Sequence, residues 1–125
     1  MKASAPQHIL TIDDESEIRE LLKEFLGAAG YRVSGASTPD EALRIVRNDP
    51  PDLIITDLQL EEVDGFDVIE LIKAVSPKTP IILLTGVLFD PDVVRGPVGE
   101  KIVAYVEKTE PLERVLQEVK RHLGK

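Results

Sequence analysis

Cysteine is absent from this chain, which removes disulfide staples, thiolate zinc sites and thiol nucleophiles together. Long apolar runs are missing too. The longest aliphatic run, Ile81 to Leu84, falls far short of the ~20 residues that cross a bilayer, so no membrane partner is expected. The opening residues, Met1 to Pro6, carry one positive charge and too little apolar length for a signal peptide. They read as a flexible tail (residues 1–6) before a single domain over residues 7–125, and the expected compartment is the cytoplasm. Basic residues are in the minority: 15 Lys plus Arg against 23 Asp plus Glu leave a net charge of −8. Gripping duplex phosphates needs a basic face, so direct nucleic-acid binding is not expected. Cations or basic partner surfaces suit this balance better. Nucleotide fingerprints are also lacking, with no Gly-x-x-x-x-Gly-Lys-Ser/Thr run and no Gly-x-Gly-x-x-Gly after a strand.

What is present supports a folded unit. Of the 125 residues, 42% are hydrophobic and 30% charged, enough for one domain with a buried core. Five short aliphatic runs, Ile9 to Ile12, Tyr31 to Ser34, Leu53 to Ile55, Ile81 to Leu84 and Ile102 to Val106, have the character of buried parallel strands. Tyr31 to Ser34 is the least apolar and belongs at a sheet edge. Between the first two, Ile18, Leu21, Leu22, Phe25 and Leu26 repeat at helical spacing, with Glu17, Arg19, Glu20, Lys23 and Glu24 on the wet side. Asp14 with Glu17 fits a cap before that helix, and Gly30 fits a left-handed stop after it. Thr38-Pro39-Asp40-Glu41 is a capping box with proline at the first helical position. A third helix follows Gly65, with Val68, Ile69, Leu71, Ile72 and Val75 facing inward. A last one follows Pro111, with Leu112, Val115, Leu116, Val119 and Leu123 inward. The fourth connection, Asp90 to Arg95, starts like a helix but meets Gly96-Pro97, predicting a short or irregular fourth helix. Alternation of this kind predicts an α/β doubly wound five-stranded parallel sheet with helices on both faces, in the flavodoxin-like strand order 2-1-3-4-5.

In that order the first and third strands are neighbours, and ligands bind beyond their carboxyl ends. Asp13-Asp14-Glu15, Thr56-Asp57, Thr85-Gly86 and Glu107-Lys108 end the first, third, fourth and fifth runs and would converge there. Two unit charges 4 Å apart repel by roughly 4 kcal/mol at an effective dielectric of 20, so Asp13, Asp14 and Asp57 call for a counter-charge. All-oxygen ligands select Mg²⁺ or Mn²⁺, and Mg²⁺ commonly shares its shell with phosphate oxygens. Lys108 would neutralise phosphoryl charge and Thr85 would donate a hydrogen bond to it. Asp57, at the end of a central strand, is best placed to become an aspartyl phosphate.

Asp13-Asp14, the stretch Asp57-Leu58-Gln59-Leu60-Glu61-Glu62-Val63-Asp64-Gly65, Thr85-Gly86 and Lys108 occur in receiver-domain order and spacing. Over almost its whole length the chain resembles the receiver domain of two-component response regulators, of the chemotaxis-regulator type. The resemblance implies that Asp57 accepts a phosphoryl group from a histidine kinase or phosphotransfer protein. It implies that Asp13, Asp14, Asp57 and the Gln59 backbone carbonyl hold Mg²⁺, and that Thr85 and Tyr105 form a switch pair. The output would pass to a downstream protein target or a fused output domain. Such a domain assists its own phosphorylation and dephosphorylation and is not a turnover enzyme.

Some residues depart from the family pattern. Glu61 stands where the family usually has proline, and Thr109 replaces the usual proline after Lys108. A trans Lys108-Thr109 bond is expected, because a non-proline cis bond costs about 3 kcal/mol. An altered lysine loop with a broken fourth helix leaves one alternative, a receiver-like interaction module independent of phosphorylation. A phosphohydrolase of the haloacid dehalogenase type would need an acid two residues after Asp57, where Gln59 stands. His8 and His122 read as solvated, with no role in phosphoryl transfer, and the Glu61-Glu62 pair reads as a solvated loop or, alternatively, as a widening of the acidic pocket.

Overall fold

The computed structural model describes residues 6–57, 59–60, 63–86 and 102–123. Strands and helices alternate as β1 (His8–Ile12), α1 (Ser16–Ala28), β2 (Arg32–Ala36), α2 (Pro39–Asn48) and β3 (Leu53–Thr56). A short hairpin follows, β4 (Gln59–Leu60) and β5 (Val63–Asp64), then α3 (Gly65–Val75), β6 (Ile81–Thr85), β7 (Ala104–Glu107) and α4 (Leu112–Leu123). Five strands pair in the order β2-β1-β3-β6-β7, all in parallel. Counting only these five, the order is 2-1-3-4-5, as the alternation predicts, with the least apolar strand at one edge. The hairpin was not foreseen; its antiparallel pairs are Gln59 with Asp64 and Leu60 with Val63. The expected short fourth helix near Asp90 to Pro97, and Glu61-Glu62, lie outside the described residues.

Each central strand divides its side chains between two cores. Leu10, Ile12, Ile54, Ile81 and Leu83 pack with Ala42 and Val46 of α2 and Val68, Ile69 and Ile72 of α3. Ile9, Leu53, Ile55, Ile82 and Leu84 pack with Leu22 and Leu26 of α1 and Val115 and Val119 of α4. Neighbouring residues point to opposite faces and both faces are covered, which is why the runs are continuously aliphatic rather than alternating.

Some expectations about single residues fail. Leu21, Leu71 and Val75 were expected inward but are exposed. They lie at the margin of apolar stripes wider than the contact each helix makes with the sheet. His8 is 2% exposed rather than solvated, because it opens a strand flanked on both sides; its Nε2 lies 2.7 Å from Ser34 Oγ. His122 is partly buried, its Nε2 3.7 Å from Glu118 Oε1.

Helix ends follow local chemistry. Gly30, at φ 103°, stops α1, with the Tyr31 N–H donating to the Leu26 carbonyl. The cap of α1 differs from the expected Asp14–Glu17 arrangement. Glu15 occupies the N-cap without a side-chain capping bond, and Asp13 Oδ1 accepts the Glu15 N–H at 2.9 Å. At α2 the expected Thr38 cap forms, accepting the Glu41 N–H at 3.2 Å. Glu41 Oε1 reaches back to the Ser37 N–H at 2.8 Å. Thr38→Ala is expected to lower unfolding free energy by about 1 kcal/mol, read as a lower urea midpoint at unchanged slope, while Thr38→Ser stays near wild type.

Candidate functional site

Backbone bonds place the acids. Beyond β1 the Asp13 N–H donates to the Ala36 carbonyl at 3.1 Å, and beyond β3 the Asp57 N–H donates to the Ile12 carbonyl at 3.1 Å. Each parallel ladder therefore runs one rung past its strand, and the two aspartates sit on those rungs. Asp13 and Asp57 are buried while Asp14 is exposed. One carboxylate oxygen from each of Asp13, Asp14 and Asp57 lies within 4.8 Å of the others. The three aspartates thus come together beyond the strand ends.

Lys108 enters from the end of β7. Its Nζ lies 3.0 Å from Asp13 Oδ2, 2.8 Å from Asp57 Oδ2 and 2.7 Å from Glu15 Oε1. The lysine turn holds its shape without proline: the Glu110 N–H donates to the Glu107 carbonyl, and Glu110 Oε2 accepts the Glu107 N–H, both at 2.9 Å. Among the described residues there is no cis peptide bond.

The charge balance is uneven. Burial pushes the Asp13 carboxyl above its ordinary value, against the opposing pull of the Glu15 N–H and Lys108. Burial also draws the Lys108 ammonium down, but hydrogen bonds to Asp57, Glu15 and Asp13 outweigh it and hold the ammonium well above its ordinary value. Among the described residues Lys108 alone is paired with the carboxylates of Asp13, Asp57 and Glu15, while Arg19 meets the Asp13 carbonyl, so the cup keeps a negative excess. Hard oxygen donors, no nitrogen or sulfur ligand and an under-compensated buried acid fit a hard divalent cation.

Two residues in this network escaped the sequence reading. Glu15 carried no assigned role, yet it contacts Lys108. Arg19 read as a wet-face residue, but its Nη1 donates to the Asp13 carbonyl at 2.6 Å. A Cβ at Gly35 would come within 3.3 Å of the Arg19 stem, so glycine leaves room for that reach. Neither contact has a periodic signal in sequence. Thr85 closes β6, paired with Glu107, though its side chain lies outside what is described. Tyr105 is partly buried against the core under α2 and α3. Gln59 opens β4, two residues past Asp57.

A profile of the response regulator receiver domain matches residues 9–120. The chain belongs to the response regulator receiver family. Relatives include the transcriptional regulatory protein GlrR of Escherichia coli, 37% identical over 71% of this chain and 20% of its own length. Response regulator MprA of Mycolicibacterium vanbaalenii is 30% identical over 89% of this chain and 48% of its own. This receiver domain therefore spans less than half of either relative. Among solved structures it is similar to the Vibrio cholerae chemotaxis protein CheY4, at TM-score 0.85 and 26% identity over 94% of this chain and 99% of that one. It also resembles TrrA of Thermotoga maritima, solved in complex with Mg(2+)-BeF, at TM-score 0.80 and 31% identity over 92% and 97% of the two chains. The recognised family and strand order both stand. No helix among the described residues is long and apolar enough to cross a membrane.

Proposed function

We propose that Asp57 is the phosphoacceptor of this receiver domain and that the donor is a phosphohistidine on a histidine kinase or phosphotransfer protein. The carrying observation is the meeting of Asp13, Asp14 and Asp57 within 4.8 Å with Lys108 Nζ 2.8 Å from Asp57. Asp13, Asp14, Asp57 and the Gln59 carbonyl would hold Mg²⁺, or Mn²⁺ in its place. Bound there, the ion supplies neutralising charge for the phosphoryl oxygens. Asp57 forms a bond from a carboxylate oxygen to phosphorus while the donor's P–N bond breaks, its freed electron pair returning to the imidazole. Lys108, already beside Asp57, turns to the phosphoryl charge. Thr85 donates its hydroxyl to a phosphoryl oxygen and Tyr105 turns inward, which re-shapes the neighbouring surface for signalling.

The protein acts as a switch that assists its own phosphorylation and dephosphorylation, without turnover of a small substrate. Its setting is the cytoplasm, its domain spans residues 7–125, and its output goes to a protein target or a fused output domain. The greater length of the curated relatives favours an output domain. Lys108 in contact with Asp57 favours phosphorylation over the alternative of a phosphorylation-independent interaction module.

Incubation with Mg²⁺ and acetyl phosphate, followed by intact-mass spectrometry to count phosphoryl groups and by borohydride reduction of the acyl phosphate to homoserine to map the position, tests the reading. One phosphoryl group per chain, mapped to Asp57 and lost in EDTA, is expected. Label on another residue, or none, overturns it.

A further inference from the structure

Glu15 caps α1 by position but not by chemistry, since its side chain makes no capping bond. Its carboxylate instead crosses to the far end of the chain and meets Lys108 Nζ at 2.7 Å. The backbone there is fixed, because Asp13 Oδ1 takes the Glu15 N–H. Glu15 is 60% exposed, whereas the side chains of Asp13 and Asp57 are 3% and 4% exposed. The ammonium thus lies between a buried inner pair of acids and one outer acid at the rim. Exposed ion pairs add little to stability in water, so the consequence of this contact is positional.

We propose that Glu15 is a positioning residue: it gives the Lys108 ammonium an outer partner at the mouth of the cup, to which the ammonium shifts when a divalent cation takes the Asp13 and Asp57 oxygens. This rests on reading the Asp13–Asp14–Asp57 cup as the cation and phosphoryl site. A lysine stem is flexible and its ammonium carries three donors. Without Glu15, its remaining acid partners in this contact are Asp13 and Asp57. Ammonium and divalent cation compete for those oxygens in either case, but without an outer acid the ammonium has less to draw it away from them. Glu15 therefore acts on cation affinity through Lys108, beyond the influence of its own charge.

Calorimetric titration of Mg²⁺ into wild type, Glu15→Gln, Lys108→Ala and the double variant separates these contributions. Glu15→Gln is expected to weaken Mg²⁺ binding about fivefold when Lys108 is present and less than about twofold when it is alanine, a coupling that neighbouring groups show and independent ones do not. Glu15→Asp keeps the charge but shortens the reach, and should behave like Glu15→Gln. Equal fold-changes in the two Lys108 backgrounds, or wild-type affinity in Glu15→Asp, overturn the positioning role while leaving the site intact. Absence of Mg²⁺ uptake by wild type is a separate failure, which removes the site reading itself.

Discussion

Asp57→Asn takes up no phosphoryl group from acetyl phosphate and binds Mg²⁺ at least about tenfold more weakly than wild type; both results are expected from one lost charge. An amide oxygen occupies almost the same space as the carboxylate oxygen it replaces, so the fold is retained. As a neutral amide, however, asparagine is a far poorer nucleophile for phosphorus. A unit charge about 4 Å from a cation contributes several kcal/mol at an effective dielectric of 20, which makes the tenfold figure conservative. Asp57 is 3% exposed, and water cannot fully replace a charge removed from so dry a position. Mass spectrometry reads the first effect and calorimetry the second. Labelling that persists in Asp57→Asn moves the acceptor elsewhere.

Lys108→Ala acts on the same two quantities in different directions. The ammonium lies within 3.0 Å of Asp13, Asp57 and Glu15, and its removal leaves two buried carboxylates facing each other without compensation. Breaking a buried ion pair by deleting one partner costs on the order of 3 kcal/mol, and for a chain of this size each kcal/mol moves Tm by roughly 4 °C. A fall of about 10 °C in EDTA is therefore expected. Mg²⁺ affinity should rise about tenfold, because the competing cation is gone. Saturating Mg²⁺ should then recover much of the lost Tm, as any ligand of the native state does. Acetyl phosphate labelling should nonetheless slow, for want of charge on the side facing the donor. A Tm unchanged in EDTA would show that Lys108 bears no part of the acidic repulsion.

The sheet and the acidic end of the site were legible because their signals are local or periodic. Strand runs such as Leu53 to Ile55 read as aliphatic blocks, and Asp13 and Asp57 were placed by strand order alone. Gly30 and Thr38 announced helix ends through backbone chemistry that nearby sequence determines. What escaped depends on distant partners. His8 looked like an ordinary polar residue until Ser34 came beside it from another strand. The hairpin at Gln59–Asp64 has strands too short to carry a period. Glu15 read only as part of an acidic strand end and Arg19 as a wet-face helix residue, and only the folded chain brings Lys108 and the Asp13 carbonyl within their reach. Thr109 in place of proline marked an altered lysine loop, whose shape the Glu107–Glu110 bonds hold once the chain is folded.

Because Asp13 and Asp57 hang from the final rungs of two ladders, their mutual repulsion pulls on the sheet and not on a pliant loop. Whatever quiets that repulsion, be it ammonium, metal or a change in pH, also suppresses fraying where β1 meets its neighbours. Electrical state at the rim and mechanical tightness of the strand ends are one variable in this molecule.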